Sequence, residues 1–291
     1  MKLINETYNN IPGITVIDSK PGKNIGLFAI THGNEPVLYI FDQLINNYNI
    51  FKNISKGKLY LICVSLETYK QYILQSDPLA YRFIDYNMNR IYKKENISGY
   101  ESQRFNELKV IFDELDSALD IHSVAKGNDI IGITDKKYYK EMKKIFNTET
   151  ILVDPNMENS AMIYMINKGK MVFGLECGNH IDKTAHKVLE NTLRFLIHTE
   201  ILDNNKQIYN IPKKKSISYL FLEEIIPQSL NFSYTKTYKN FDQVKENEVY
   251  AKDGDIEYKN NYKETIHILV GKKVKIGDGN GFLFKKIIEP I

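Results

Sequence analysis

Up to about residue 200 the chain alternates two hydrophobic patterns. Short, nearly continuous apolar runs at Asn24–Thr31, Lys58–Val64, Ser117–His122, Asn128–Thr134 and Lys170–Glu176 predict buried strands. Between them, Glu35–Tyr48, Tyr100–Leu115, Lys136–Phe146, Ser160–Asn167 and Asp182–Leu202 carry apolar residues at helical spacing. Strands that alternate with helices and are apolar on both faces predict an α/β fold with a mostly parallel sheet covered on two sides. After Asp203-Asn204-Asn205-Lys206 the pattern changes. Short strand-like runs (SISYLFLEEII, EVYA, TIHILV, KVKI and GFLFKKII) follow one another, separated by Asp253-Gly254, Gly271-Lys272 and Gly277-Asp278-Gly279. The expected division is a catalytic α/β domain over 1–203 and a small all-β domain over 204–291.

Composition narrows the function. Of 291 residues, 43% are hydrophobic and 26% charged, the balance of a globular chain with a sizeable core. The 39 basic and 36 acidic residues are mixed along the chain, so no segregated basic face points to nucleic acid. Lys213-Lys214-Lys215, the one dense basic run, reads as a solvated linker. The two cysteines, Cys63 and Cys177, sit in apolar stretches and are expected to pack as small hydrophobes in a reducing compartment. The first residues lack the apolar run of a secretory signal, and no stretch has the roughly 20 apolar residues of a membrane span. A cytoplasmic enzyme acting on a small molecule is the expectation, with no nucleic acid or membrane partner. The oligomeric state is left open.

Chemistry concentrates where the predicted strands end, which is where α/β sheets gather functional side chains. The first strand runs into Thr31-His32-Gly33-Asn34-Glu35-Pro36, with an imidazole and a carboxylate three residues apart and a glycine that permits a tight turn. Both groups suit zinc, and His122, closing the strand SALDIH, supplies a third ligand. A His₂Glu set leaves the fourth position to water, as a catalytic zinc requires. A single His-x-x-Glu or a single strand-end histidine has an ordinary structural explanation, so the three together carry the reading. His180, His186, His198 and His267 stand in no comparable context. Glu176 closes the apolar strand KMVFGLE, where an unpaired carboxylate is costly to bury; near zinc it could take a proton from water and pass it to a leaving amine. Cys177, next to it, should face the opposite side of the strand and pack. The segment Arg82–Arg90 (RFIDYNMNR) offers two guanidiniums and amides suited to gripping a carboxylate and polarising a carbonyl.

THGNEP, RFIDYNMNR, LDIHS and GLECG, in this order, resemble the motifs of the succinylglutamate desuccinylase/aspartoacylase family of zinc-carboxypeptidase-like proteins. VKIGDGNGFLF is similar to the family's C-terminal glycine-containing strand pair, so the resemblance spans nearly the whole chain. It implies a carboxypeptidase-like α/β/α layer with a mixed, mostly parallel sheet, and a small β domain shielding the cleft. It implies one Zn²⁺ per chain on His32, Glu35 and His122, with Glu176 as general base and acid. Arg82 matches the residue that polarises the scissile carbonyl, and Asn89 with Arg90 match a clamp for a substrate carboxylate.

The sequence departs from the family pattern at three points. Asn87 replaces an aspartate, with Asp85 nearby as a possible substitute. Ile166 stands where aspartoacylase-like members place an arginine, the nearest cations in sequence being Lys168 and Lys170. Lys126 stands where the desuccinylase pattern has an arginine, and is the expected substrate contact there. The reading is a zinc-dependent amidohydrolase that cleaves an N-acyl amino acid or similar small amide through zinc-activated water. The alternatives are a metallocarboxypeptidase acting on short peptides, or a zinc-binding protein that has lost catalysis.

Overall fold

The computed structural model describes residues 5–35, 37–74, 81–92, 98–124, 129–153, 160–179, 185–203, 212–213, 215–268 and 281–287. Among them the strands are β1 (Thr7–Tyr8), β2 (Ile11–Pro12), β3 (Ile14–Asp18), β4 (Asn24–Ala29), β5 (Lys58–Cys63), β6 (Ser117–Val124), β7 (Ile130–Thr134), β8 (Thr150–Val153), β9 (Met171–Asn179), β10 (Ile217–Glu224), β11 (Phe232–Tyr234), β12 (Asp242–Val244), β13 (Val249–Asp253), β14 (Ile256–Lys259), β15 (Thr265–Ile268) and β16 (Phe282–Lys286). The α-helices are α1 (Tyr39–Asp42), α2 (Ile50–Asn53), α3 (Leu66–Ile73), α4 (Tyr100–Glu114), α5 (Tyr139–Ile145), α6 (Ala161–Asn167) and α7 (Ala185–His198). None of the described helices is long and apolar enough to cross a membrane.

One sheet of 11 strands organises the chain, in the order β12-β15-β16-β10-β8-β7-β9-β6-β4-β5-β3. Its N-terminal strands pair mainly in parallel: β5, β4, β6 and β9 in one group, β7, β8 and β10 in the other. The two groups meet antiparallel at β7–β9. Alternation along each strand divides the core. Ile25, Leu27, Leu119, Ile121, Phe173 and Leu175 point to one face, against Phe41, Leu44, Phe195 and Leu196 of the 39–47 segment and α7. Phe28, Tyr60, Ala118 and Val172 point to the other, against Phe105, Phe112 and Met165 of α4 and α6. Helices thus cover both faces, which is why the strands read as continuous apolar runs.

The C-terminal segment contributes to two sheets. Strands β10, β16, β15 and β12 extend the main sheet, and a 3-stranded antiparallel sheet, β11-β13-β14, stands apart. The physical reason is the edge of β8. Its unpaired backbone groups need a partner, and β10 supplies one in parallel register, Ser218 beside Ile151 and Leu220 beside Val153. Most of the stretch around the expected boundary (204–211 and 214) lies outside the described residues, as does KVKI.

Local differences also have local causes. The predicted helix over Glu35–Tyr48 is realised as a short α-turn, Tyr39–Asp42, continued by a π-turn over Gln43–Asn47. Ser160 caps α6 by accepting from the Ile163 N–H at 3.2 Å. Strands β3 and β8 and helix α3 arise from stretches whose apolar runs are too short to show a period.

Candidate metal and active site

Strand β4 lies at a topological switch point, with β5 on one side and β6 on the other. A crevice opens beyond the strand ends at such a point. The backbone leaves β4 through Ile30, which holds φ 58° in the left-handed region, an unfavourable conformation for a β-branched residue. Ser65 fixes this turn, its N–H donating to the Ile30 carbonyl at 2.8 Å and its hydroxyl to the Thr31 carbonyl at 2.9 Å. Gly33 follows because another chain segment passes close by. A Cβ there would stand 2.6 Å from the Tyr81 carbonyl oxygen and collide with the Thr68 side chain. The Gly33 N–H donates to the Arg82 carbonyl at 3.0 Å, so this close approach brings the Arg82 loop beside His32.

Register brings the remaining groups together. His122 of β6 pairs beside Glu176 of β9, and Asp120, two residues earlier, shares their face. Cys177 points to the other face and packs in the apolar core there, where burial pushes its thiol well above the usual range. His32, Glu35, Asp120, His122 and Glu176 are all buried. The Glu35 carboxylate sits between the two imidazoles, with Oε1 2.7 Å from His32 Nδ1 and Oε2 2.9 Å from His122 Nδ1. Burial works against its charge, but the two rings outweigh it and hold Glu35 well below the ordinary carboxylate range.

The outer partners of the rings decide what the inner atoms can hold. His122 Nε2 lies 3.0 Å from Asp120 Oδ2, and Thr31 Oγ1 donates to Asp120 Oδ1 at 2.7 Å. His32 Nε2 lies 3.1 Å from Asn87 Oδ1, an oxygen whose orientation is fixed because it also accepts from the Asn89 N–H at 2.9 Å. Nε2 of His32 meets both the Asn87 oxygen and an Arg82 donor at 3.1 Å, whereas at His122 the Asp120 carboxylate calls for a proton on Nε2, which leaves that ring's Nδ1 lone pair facing the Glu35 carboxylate. Either an extra proton or a cation must lie between them. One donor atom from each of His32, Glu35 and His122 falls within 4.8 Å of the others, so this group can hold a metal ion. Burial alone would lower His122, yet Asp120 and Glu35 raise it well above its ordinary value. His32 moves the other way, lowered by burial and by the adjacent Arg82 guanidinium.

Glu176 differs from Glu35 in lacking direct partners. Its Oε2 is buried with no hydrogen bond. Burial, the leading influence, raises the carboxyl to about 7 against the pull of His122. This is the environment of a carboxylate that exchanges a proton near neutrality.

The segment carrying Arg82, Asn87, Asn89 and Arg90 is built around buried Glu101, which accepts the N–H groups of Ile84, Asp85 and Tyr86 at 2.6, 2.9 and 3.1 Å. Arg82 reaches the His32–Glu35–His122 cluster, donating to Glu35 Oε1 at 3.3 Å and lying 3.1 Å from His32 Nε2. Asn89 lies in the adjoining turn with its Oδ1 buried and unpartnered. Arg90 donates to the Asn89 carbonyl at 2.9 Å and forms an ion pair with Glu224 of β10. Asp85 accepts from the Tyr100 N–H at the start of α4 at 2.7 Å, and so serves that helix. Ile166 is buried in the α4/α6 core. Lys168 and Lys170 bind Asp113 through its carboxylate and carbonyl, at the opposite end of β9 from Glu176. Lys126 lies outside the described residues.

Asp120, Asn87 as a partner of His32, Glu101 and Glu224 were not assigned these contacts from sequence. Asp120 had a usable signal, since a charged residue inside SALDIH, two positions from His122, must share its face. Glu224 had none, because its partner is 134 residues away.

No protein-family profile and no curated protein matches the chain. Solved structures do. The succinylglutamate desuccinylase of Vibrio cholerae superposes with a TM-score of 0.74 at 17% identity, covering 95% of this chain and 86% of its own. The enzyme from Vibrio parahaemolyticus gives 0.73 at 18% identity, with coverage of 95% and 86%. The ectoine utilization protein EutE (DoeB) of Ruegeria pomeroyi gives 0.68 at 14% identity, covering 94% and 88%. Over 95% of its length the chain has the fold of the solved succinylglutamate desuccinylase/aspartoacylase structures.

Proposed function

We propose that the protein is a zinc-dependent hydrolase that cleaves the amide bond of an N-acyl amino acid or a similar small amide. His32, Glu35 and His122 would hold one zinc per chain. The observation that carries this reading is that two unlike carboxylates flank His122. Glu35 is enclosed by imidazoles and held ionised, while Glu176, beside His122, has a free buried oxygen and a carboxyl raised to about 7. Environments that push two such groups apart assign one to ligation and the other to proton transfer.

Zinc bound there would supply Lewis acidity and bring the ionisation of water down toward about pH 7. The protein's own groups do the rest. Glu176 accepts a proton from the attacking water at its free oxygen and later delivers it to the departing nitrogen. The bond from water oxygen to acyl carbon forms first and the C–N bond then breaks, giving a carboxylate and a protonated amine. Arg82 donates to the acyl oxygen as negative charge gathers on it, an effect worth about 3 kcal/mol for one well-placed donor. Asn89 and Arg90 are the proposed substrate contacts on the same loop. Asp120 and Asn87 hold the imidazoles in orientation from behind.

The test is elemental analysis of the purified protein, joined to a mass-spectrometric screen of N-acyl amino acids and short peptides. One zinc per chain and release of free amino acid from an N-acyl compound is the expected result, with both lost in His122→Ala. A His122→Ala protein that still carries a full complement of zinc would refute the ligand assignment. Turnover confined to peptides would identify a carboxypeptidase. Bound zinc with no turnover of any compound would identify a binding protein.

A further inference from the structure

Arg90 is not an open anion receptor. Its guanidinium has two acceptors, the Asn89 carbonyl and the carboxylate of Glu224, and the ion pair is mostly shielded, with the Arg90 and Glu224 side chains 26% and 20% exposed. The partner arrives by an irregularity in β10. Along this strand Tyr219 and Phe221 lie on the same face as Glu176, through Leu152 and Ile133 of β8 and β7 and Gly174 of β9. Strict alternation would next place Glu223 on that face. A bulge between Phe221 and Glu223 inserts one residue, so that Phe221 pairs with Phe284 and Glu224 with Phe282. Glu224 therefore takes the place on the active-site face, and Glu223 turns toward Tyr250 on the other side, where burial raises its carboxyl.

We propose that Glu224 cancels the charge of Arg90 and restricts the site to amides that bring at most one carboxylate, an inference that rests on the hydrolase reading above. The charges of the described site residues support it. Arg82 and Arg90 face Glu35, Asp120, Glu176 and Glu224. With all four carboxylates ionised, their excess is what one divalent cation offsets, and among the described site residues no positive charge is left over for a dianionic ligand. Of the other places where a cation might be sought, Ile166 is apolar and Lys168 and Lys170 are held at Asp113, while Lys126 lies outside the described residues. A second carboxylate on the substrate would have to displace Glu224 and leave it unpaired in a shielded position. An uncharged acyl group meets no such obstacle, and the amide N–H beside it can donate to the unpartnered Asn89 Oδ1.

The test compares the N-acetyl and N-succinyl derivatives of one neutral amino acid, in kcat/KM, for the wild-type zinc-loaded protein, Glu224→Gln and Glu224→Gln/Arg90→Gln. In parallel, binding of acetate and succinate is measured by calorimetry. Wild type should favour the N-acetyl compound. Glu224→Gln should shift the ratio toward N-succinyl by about 10- to 100-fold and tighten succinate relative to acetate, and the double variant should lose the gain. A wild-type protein that prefers N-succinyl tenfold overturns the proposal even if Glu224→Gln does not fold. So does a folded Glu224→Gln with unchanged ratios in both measurements. If no compound is hydrolysed by any variant, the hydrolase reading fails, and the succinate-to-acetate binding ratio alone decides whether Glu224 neutralises Arg90.

Discussion

Two buried histidine settings in this molecule follow opposite rules. His122, at the end of β6, lies between the carboxylates of Glu35 and Asp120. His267, in β15, is surrounded by the rings of Tyr234, Tyr238 and Tyr250 at centroid distances of 5.1, 5.1 and 6.3 Å. Neither nitrogen of His267 has a hydrogen-bond partner, and the residue is fully buried. Burial opposes a positive charge in both places. At His122 the carboxylates outweigh it and raise the ring well above its ordinary value, whereas at His267 burial prevails over the cross-strand neighbour Asp242 and lowers the ring to about 4. Depth therefore does not make a site. What distinguishes the cluster at the ends of β4, β6 and β9 is that its buried polar atoms face groups of opposite demand, so that a proton or a cation has a place to go.

The largest effect expected from breaking this contrast is at Glu176. Glu176→Gln keeps the shape and the three proposed ligands but removes the proton acceptor, so turnover should fall by about 10²- to 10⁴-fold with zinc content and melting unchanged. Near wild-type turnover on a folded, zinc-loaded preparation would show that another group moves the proton. An unfolded variant would assign Glu176 to stability.

Next in size is the acid sensitivity of the tyrosine-lined region. A histidine whose folded pKa is depressed stabilises the protein fully above its unfolded value of 6.5, and that contribution is lost as pH falls toward about 4. The loss should reach about 3 kcal/mol at pH 4. Denaturant titrations of wild type and His267→Leu at pH 7 and pH 4 isolate it, since groups shared by both proteins cancel. An equal acid loss in the two proteins would show that His267 finds a partner in solution.

A smaller effect is expected at Gly281, where an added Cβ would collide with His267 Nε2 and stand 2.8 Å from the Tyr234 hydroxyl. Gly281→Ala should destabilise the fold by about 1–3 kcal/mol, measured by thermal unfolding, without altering zinc stoichiometry. Loss of zinc in this variant would mean that the two histidine settings are coupled. The smallest change is Asn87→Asp, which places a carboxylate behind His32 to match Asp120 behind His122. Zinc affinity, read by chelator competition, should rise by about tenfold. No change would show that the ring is already held as firmly by the amide.

The residues of the candidate site were more legible in the sequence than the sheet was. His32, Glu35, His122 and Glu176 could be singled out because each stands where an apolar run ends, and a charged or imidazole side chain at such a position has few ordinary explanations. Strands β4, β5, β6, β7 and β9 were legible from long apolar runs. Strands β3 and β8 were not, since five and four residues show no period of their own. Asp85 could be weighed as a partner for the arginines because it is close in sequence, but the turn into α4 claims it through the Tyr100 N–H.

The amino-acid sequence by itself determined which chemical groups this protein has and, through hydrophobic periodicity, which stretches become strands and helices around them. Those are local properties, decided by side-chain type and by spacing of two or 3.6 residues. The tertiary structure alone decided which groups meet. The register of β6 against β9 puts His122 beside Glu176, and the edge of β8 recruits the C-terminal strands into the main sheet. One extra residue in β10 selects Glu224 rather than Glu223 to face Arg90. Each of these depends on pairing between segments far apart in the chain, where a shift of one residue reverses every side chain, and no local pattern carries that information.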